Sequence, residues 1–280
     1  MSTIHRSSAL LGFMPLFGLD PATYEGTRIV GPLTAVWFVI FVLPMFLFTP
    51  DQPPKRPLSA AVSEGLRELK QTLAALPANR LLLTFLIANM VYMDGLLSLF
   101  TFGGIYAAST FGWVTFQIGL FGLIIAVFGT FGAWLGGKLD DRLGPKAVIA
   151  GSLVMLLAAL ITILLIDRDS ILFVKVEPPM PGGPLFGAAA ERAYVLVGVF
   201  IGIAAGPMQA ASRTLLIRLA PVDRITQHFG LFALTGKVTS FLGPLLVASI
   251  TAATMNQKAG MVVLLSFFLI GLGLLLRVRD

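Results

Sequence analysis

Long apolar runs separated by short polar segments dominate the chain. Each run is close to the ~20 residues that an α-helix needs to cross a ~30 Å hydrocarbon core. The seven runs are residues 29–49, 80–108, 115–136, 146–166, 192–213, 226–250 and 259–276. The pattern predicts an all-α membrane protein with seven transmembrane helices, the last six of which form one bundle over residues 80–280.

The amino-terminal segment, residues 1–28, has too few consecutive apolar residues to cross a membrane. Its apolar part, residues 10–19, covers only about 15 Å as a helix. His5 and Arg6 precede it as basic residues precede the apolar part of a signal peptide, but Asp20-Pro21 after it does not resemble a small-residue cleavage site. We expect an extracytoplasmic loop or the remnant of a helix.

Residues 50–79 separate the first predicted span from the other six. Four prolines within residues 50–57 exclude a helix there and indicate a stiff linker. Apolar residues then recur every three or four positions, which predicts an amphipathic helix. Its apolar positions are Leu58, Val62, Leu66, Leu69, Leu73 and Leu76. This helix could lie on the membrane surface or pack against protein. A later segment, residues 167–191, is rich in proline and glycine, and we expect an irregular extramembrane loop.

Composition agrees with a membrane location. The chain has 56% hydrophobic and 12% charged residues and a mean hydropathy of +0.89, so it has too little polar surface for a soluble globule. The net charge of +6 does not indicate a nucleic-acid partner, because the cations lie between apolar segments. They indicate the lipid bilayer. With no cysteine and two histidines, we expect no metal site and no cofactor.

The cations also predict orientation. If loops alternate between the two sides, thirteen Lys and Arg residues fall on one side and six on the other, with Lys237 inside a span. The positive-inside rule makes the richer side cytoplasmic. Both the polar segment at 137–146 and the carboxyl terminus are then cytoplasmic.

A polar loop is expected over residues 137–146, and its spacing is specific. Gly137, Leu139, Asp141, Arg142, Gly144 and Lys146 give the pattern Gly-x-Leu-x-Asp-Arg-x-Gly-x-Lys. This resembles the cytoplasmic loop signature of the major facilitator superfamily of transporters, which follows the second helix of each six-helix half. Pro145 stands where that family usually has a basic residue.

The resemblance implies an organisation for the whole chain. Residues 29–49 look like the sixth helix of such a transporter, residues 50–79 like its central loop, and the later spans like its complete carboxyl half. An amino-terminal helical half would then be a missing partner. Residues 89–95, 102–106 and 229–237 resemble the branch related to yeast vacuolar amino-acid effluxers.

That branch implies transport of a small solute, such as an amino acid or related metabolite, by alternating access. It also implies a bacterial cytoplasmic membrane as the location and no enzymatic activity. By the resemblance, Asp141 contributes to a cytoplasmic contact that closes against the other half.

Two charges lie inside predicted spans, where an unpartnered charge costs a few kcal/mol or more. Asp94 follows Arg80 by 14 residues and Lys237 follows Thr226 by 11, or about 21 and 17 Å of helix from the same side. We hypothesise that they meet near the midplane and bind solute or carry a proton. The alternatives are a structural ion pair and a lysine that extends toward water.

Three further residues are weaker candidates for the solute path. Asn89 and Tyr92 share part of a helix face with Asp94. Gln209 follows Gly206-Pro207, where a bend could expose backbone carbonyls, although packing against neighbouring alanines explains the same sequence. Arg213, with Arg218 and Arg224, is expected only to mark the cytoplasmic boundary.

Three other classes of protein compete with a transporter. Seven helices with a lone intramembrane lysine also suggest a receptor or a retinal protein, but Lys237 is on the sixth span, not the last. A membrane enzyme would need a catalytic cluster or phosphate loop, and the sequence shows none near a span end. A truncated fragment that folds but moves no solute remains the third alternative.

Overall fold

A computed structural model of the chain describes residues 25–50, 57–180 and 183–278. The chain divides after Ala61 into two compact units. In the first unit, helix α1 covers Glu25–Arg28 and helix α2 covers Val30–Phe48. Trp37 and Phe41, one turn apart on α2, have ring centroids 4.5 Å apart. Most of the predicted extracytoplasmic segment 1–28, and residues 51–56 of the predicted linker, lie outside the described residues.

The second unit contains eight α-helices and one small β-hairpin in its described part. The helices are α3 (Leu58–Ala75, which begins before the division), α4 (Arg80–Phe111), α5 (Thr115–Leu143), α6 (Pro145–Leu164), α7 (Ala189–Leu219), α8 (Ile225–Val238), α9 (Leu242–Thr254) and α10 (Gln257–Arg277). The strands are β1 (Ser170–Ile171) and β2 (Val174–Lys175). Seven segments of the described chain are long and apolar enough to cross a membrane, which confirms the predicted all-α membrane fold.

The polar loop predicted at residues 137–146 is almost entirely helix. Helix α5 continues to Leu143, Gly144 alone connects it to α6, and Pro145 is the first residue of α6. Gly144 has φ +82°, a conformation that glycine adopts without the clash a Cβ would cause. Helix α5 has 29 residues, or about 44 Å, so its polar end can extend beyond a ~30 Å hydrocarbon core.

Helix α7 packs tightly on α5 through glycines. Cβ atoms placed on Gly202 or Gly206 would overlap backbone atoms of α5, at the Ile125 and Gly129 carbonyls respectively. Pro207, inside α7, has no N–H to donate to the Ile203 carbonyl one turn earlier. Gly132 of α5 lies directly against that carbonyl, so the absence of a side chain there allows the two backbones to touch.

The span predicted at 226–250 is broken into two helices. Helix α8 ends at Val238 and α9 begins at Leu242, with Thr239, Ser240 and Phe241 outside both. A helical Pro244 would clash with the carbonyl of Ser240 four residues earlier, whereas proline in the first turn of a new helix is tolerated. The break therefore follows from the Gly243-Pro244 pair.

The segment predicted as an irregular loop, residues 167–191, contains the β-hairpin. Ser170 pairs with Lys175 and Ile171 with Val174, so Leu172 and Phe173 form the turn, with φ of +49° and +72°. The Lys258 Nζ atom lies 2.6 Å from Asp167 Oδ1, which ties the base of the hairpin to the start of α10.

Helix α3 covers the segment expected to be amphipathic. Two residues in the later half of α3 contact Gln227 of α8. The Gln227 side-chain amide donates to the Glu68 carboxylate at 3.2 Å, and the Thr72 hydroxyl is 3.4 Å from the Gln227 side-chain oxygen. Val62 and Leu66 remain 54% and 63% exposed. The later half of α3 thus packs on protein, and contact of its exposed apolar positions with a membrane surface stays a prediction.

Candidate substrate cavity

A cavity of about 750 Å³ lies between α4, α5 and α7. Along α7 its wall extends from Tyr194 to Arg213, nineteen residues or about 29 Å of helix, which is nearly the thickness of a hydrocarbon core. Leu99 and Phe100 contribute from α4, and Ile118 from α5. The cavity therefore follows the bundle from one end to the other.

Most of the cavity wall is apolar or glycine. Six glycines line it, two from each of α4, α5 and α7, and no Asp, Glu or Lys is among the lining residues that the structure describes. The lining glycines are Gly103, Gly104, Gly122, Gly129, Gly202 and Gly206 on these three helices. Such a wall offers contacts to an apolar body and lets backbone approach it closely.

Four lining side chains carry polar atoms, and three of them are bonded to the protein. Thr130 donates to the Ala126 carbonyl at 3.0 Å and Tyr194 to the Gly103 carbonyl at 2.8 Å. The Gln209 amide donates to the Ala205 carbonyl at 3.3 Å. The side chain of Arg213, which is exposed and lies one turn beyond Gln209 on the same helix, has no hydrogen bond or ion pair to any residue in the described ranges.

An aromatic cluster closes the end of the cavity opposite Arg213. The Trp113 ring lies edge-on to Phe121 and Tyr194, with centroids 5.4 and 5.6 Å apart. The Trp113 indole N–H donates to Glu191 Oε1 at 2.9 Å, and the Ala188 N–H donates to Glu191 Oε2 at 3.0 Å. Because Glu191 is only 5% exposed, both bonds serve to satisfy a buried carboxylate.

The predicted path residues Asn89 and Tyr92 are buried inside the bundle and do not line this cavity. The Tyr92 hydroxyl lies 2.7 Å from Ser212 Oγ, which in turn donates to the Met208 carbonyl at 2.6 Å. Tyr92 therefore joins α4 to α7. Asn89 Oδ1 has no hydrogen-bond partner in the described structure. Gln209 is the one predicted path residue that lines the cavity.

Asp94 and Lys237 do not meet as hypothesised. Within the described residues no Asp94 oxygen is within 4.0 Å of Lys237 Nζ, and Asp94 is 2% exposed whereas Lys237 is an exposed side chain. The reason is the helix break: Lys237 lies in the last turn of α8, and the neighbouring side chain of Asp94 is Thr239 instead.

Gly243, just beyond the break, lies against the same part of α4. A Cβ on Gly243 would come within 2.8 Å of the Asp94 carbonyl oxygen. The start of α9 can therefore lie directly on α4 beside Asp94. This places a buried carboxylate next to an interrupted helix, although neither residue is part of the cavity lining.

The signature segment, residues 137–146, makes one ion pair within the described structure, through Asp140. Its Oδ1 atom is 4.0 Å from Arg218 on α7, whereas Asp141 and Arg142 are exposed and Lys146 is half-buried. Gly137 has open space where a side chain would be. Elsewhere in the segment, Lys138 Nζ lies 3.8 Å from the centre of the Trp134 ring. The contact expected of Asp141 is with the other half of a transporter, so it stays a prediction.

The described residues contain no group of three His, Asp or Glu side chains that could hold a metal ion. Sequence reasoning missed Arg213 as a cavity residue, because its position near the end of a span suggested a boundary role. The available signal was its spacing: Gln209 and Arg213 are four residues apart, so they share a helix face.

Comparison with known proteins places the chain in a family. The family described as "Vacuole effluxer Atg22 like" matches residues 10–280. An uncharacterised transporter of the major facilitator type, YxiO of Bacillus subtilis, is 22% identical over 254 residues, which are 89% of this chain and 53% of the relative. Autophagy-related protein 22 of Cryptococcus neoformans is 25% identical over 279 residues, 95% of this chain and 46% of the relative.

The chain thus spans about half the length of these relatives. A shorter match, to autophagy-related protein 22 of Kluyveromyces lactis, reaches 38% identity over 79 residues. The family match covers almost all of the chain, including the whole cavity and the signature segment. The chain is an integral membrane protein that belongs to the Atg22-like branch of the major facilitator superfamily.

Proposed function

We propose that this chain is the carboxyl-terminal part of a transporter that moves a small solute across a membrane by alternating access. The observation that carries the proposal is the cavity between α4, α5 and α7, which follows the spans for about 29 Å from Tyr194 to Arg213. Transporters of this architecture bind solute between helical bundles near the membrane midplane. An amino acid or related metabolite is the substrate class that we propose, because residues 89–95, 102–106 and 229–237 resemble the yeast vacuolar amino-acid effluxers.

The proposed partner is an amino-terminal helical half. The chain matches about half of each long relative, and α5 exposes large apolar side chains such as Leu123, Val127 and Phe131. Antibodies against residues 62–75 would give the size of the native protein on an immunoblot. A band near 30 kDa, the mass of this chain, would contradict a continuous longer protein, and a band of about twice that mass would support it.

Transport itself is tested by reconstituting the native protein in liposomes and following uptake of radiolabelled amino acids and organic acids. We expect uptake of at least one compound above that of protein-free liposomes. A purified, folded protein that moves none of them would favour the alternative, a fragment that folds without transporting.

Asp94 and Lys237 remain proposed path residues, each acting without the other. Asp94 is buried beside the break between α8 and α9, where a change of protonation could alter how the two helices meet. Replacing Asp94 with Asn should then abolish the response of transport to a proton gradient, while Lys237→Gln should lower uptake of an anionic solute. Unchanged transport in both variants would refute these roles.

The proposed location is a bacterial cytoplasmic membrane with the carboxyl terminus inside. The orientation depends on the cation count along the sequence. A carboxyl-terminal alkaline phosphatase fusion, which is active only outside the cytoplasm, should be inactive, and a green fluorescent protein fusion at the same position should fluoresce. The reverse result would invert the topology.

A further inference from the structure

We propose that the cavity binds an organic monoanion with an apolar body, and that Arg213 holds its anionic group. The inference rests on the proposed function and narrows it, since among amino acids and related metabolites it selects carboxylates that lack an ammonium group. Arg213 is the only charged residue of the lining within the described structure.

The charge of Arg213 is not satisfied by the protein. No acidic residue among those described lines the cavity, and the exposed Arg213 side chain has no ion pair or hydrogen bond in the described ranges. Arg218, five residues later on the same helix, has Asp140 at 4.0 Å. Since an arginine is always ionised and presents five N–H donors, the exposed Arg213 guanidinium can receive a carboxylate that enters the cavity.

Gln209 supplies a second polar group at the same end. Its amide nitrogen is 3.3 Å from the Ala205 carbonyl, so the side chain lies back along α7, one turn from Arg213. The two residues are about 6 Å apart along the helix axis. The Gln209 amide therefore points away from Arg213, and a carboxylate on Arg213 would have only this bonded amide, apolar groups, glycines and bonded hydroxyls beyond it.

The rest of the cavity fits an uncharged, apolar body. Thr130 and Tyr194 already donate their hydroxyl hydrogens to backbone carbonyls, and Phe100, Phe121 and Ile125 present apolar surface. A positively charged group there would lose its water without gaining an opposite charge, which is costly. The cavity should therefore prefer a simple carboxylate over a zwitterion with the same side chain.

Four compounds of nearly the same shape test this preference. They are 3-phenylpropanoate, its neutral amide, L-phenylalanine, which adds an ammonium group, and 2-phenylethylamine, which is a cation. Binding to the purified 280-residue chain in detergent micelles is measured by isothermal titration calorimetry. We expect the propanoate to bind most tightly, and the zwitterion and the cation to bind more weakly than the neutral amide.

Variants of α7 identify the residue responsible. Arg213→Gln should weaken binding of 3-phenylpropanoate roughly ten-fold or more, because a charge-assisted hydrogen bond is lost, while binding of the amide changes little. Arg213→Lys, which keeps the charge but not the planar pair of donors, should give an intermediate affinity. Arg192→Gln is the matched control, since Arg192 is exposed at the other end of α7 and outside the cavity lining.

Several results would overturn the inference. These are equal binding of the propanoate and the amide, tighter binding of L-phenylalanine than of the propanoate, an equal loss in Arg192→Gln, or no binding by any of the four compounds up to their solubility limits. The comparison of compounds needs no variant, so it remains decisive even if Arg213→Gln does not fold. Selective binding without transport by the native protein would refute the proposed function alone, and transport without selective binding would refute this inference alone.

Discussion

The contact between Gly132 of α5 and the Ile203 carbonyl of α7 makes a sharp prediction for Gly132→Ala. The new methyl carbon would lie 2.7 Å from Ile203 Cα and 2.9 Å from its carbonyl carbon, and still closer to the oxygen. These neighbours are backbone atoms, which cannot rotate away. The two helices must separate if alanine is to fit.

The size of the effect follows from these distances. Ordinary contact of a Cβ atom begins near 3.4 Å, and the Ile203 oxygen is the nearest atom, so α5 and α7 have to move apart by about 1 Å near Ile203. A gap of that size removes a quarter to a half of the attraction of each atom pair along the seam. Overpacking typically costs 1–3 kcal/mol, and we expect a loss of about 2–3 kcal/mol here.

The assay is unfolding of the purified chain in mild-detergent micelles by added sodium dodecyl sulfate. Intrinsic tryptophan fluorescence reports the transition, since Trp134 is on α5 close to the mutated residue and Trp113 precedes α5. Gly119→Ala is the matched control on the same helix, because a Cβ there has no neighbour within 4 Å. The control should change stability by between zero and about 1 kcal/mol in the stabilising direction.

A Gly132→Ala protein whose free energy of unfolding equals that of the parent, or changes by the same amount as the control, would refute the reasoning. It would mean that the backbone contact seen at Ile203 is not a feature of the folded chain. Gly136→Ala offers an independent check, since its methyl group would overlap the Pro207 ring.

Three other substitutions can be read by the same assay. Tyr92→Phe should cost about 0.5–1 kcal/mol, and a double-mutant cycle with Ser212→Ala should recover most of that as coupling; additive losses would contradict a Tyr92–Ser212 bond. Glu191→Gln should cost about 1–3 kcal/mol, because a charged acceptor of two buried hydrogen bonds is lost, and should change the fluorescence of Trp113; an unchanged spectrum would argue against the contact. Gly144→Ala should cost about 1–2 kcal/mol, because alanine is strained at a left-handed φ; a neutral result would show that the connection adopts another conformation.

The fold could be predicted from the sequence because membrane spans are a matter of length and composition. Each of the seven apolar runs corresponds to a span in the described structure. The ends were less accurate, since hydropathy reports where the hydrocarbon ends and not where the helix does. Residues 137–143 are polar and still helical.

The cavity could be predicted only in part. Gln209 was predicted because it follows Gly206-Pro207, a pattern that is visible within the sequence of a single helix. The separation of Asp94 from Lys237 depends on how α4, α8 and α9 meet. Counting residues along a helix gives the depth of a side chain in the membrane but not the direction in which it points. Arg213 was assigned to the boundary because the face it shares with Gln209 matters only once α4 and α5 are placed beside α7.

The interruption between α8 and α9 has a mechanical consequence. Helix α8 has 14 residues and α9 has 13, and each keeps its own internal hydrogen bonds, so a change of angle between them breaks few of these bonds. We expect the two segments to behave as rigid rods joined at residues 239–241, whereas α5 and α7, whose backbones touch, turn as one body. Pairs of spin labels across the joint should then give a broader distribution of distances than pairs within α8. A change of angle between α8 and α9 would therefore be confined to this joint, beside Asp94.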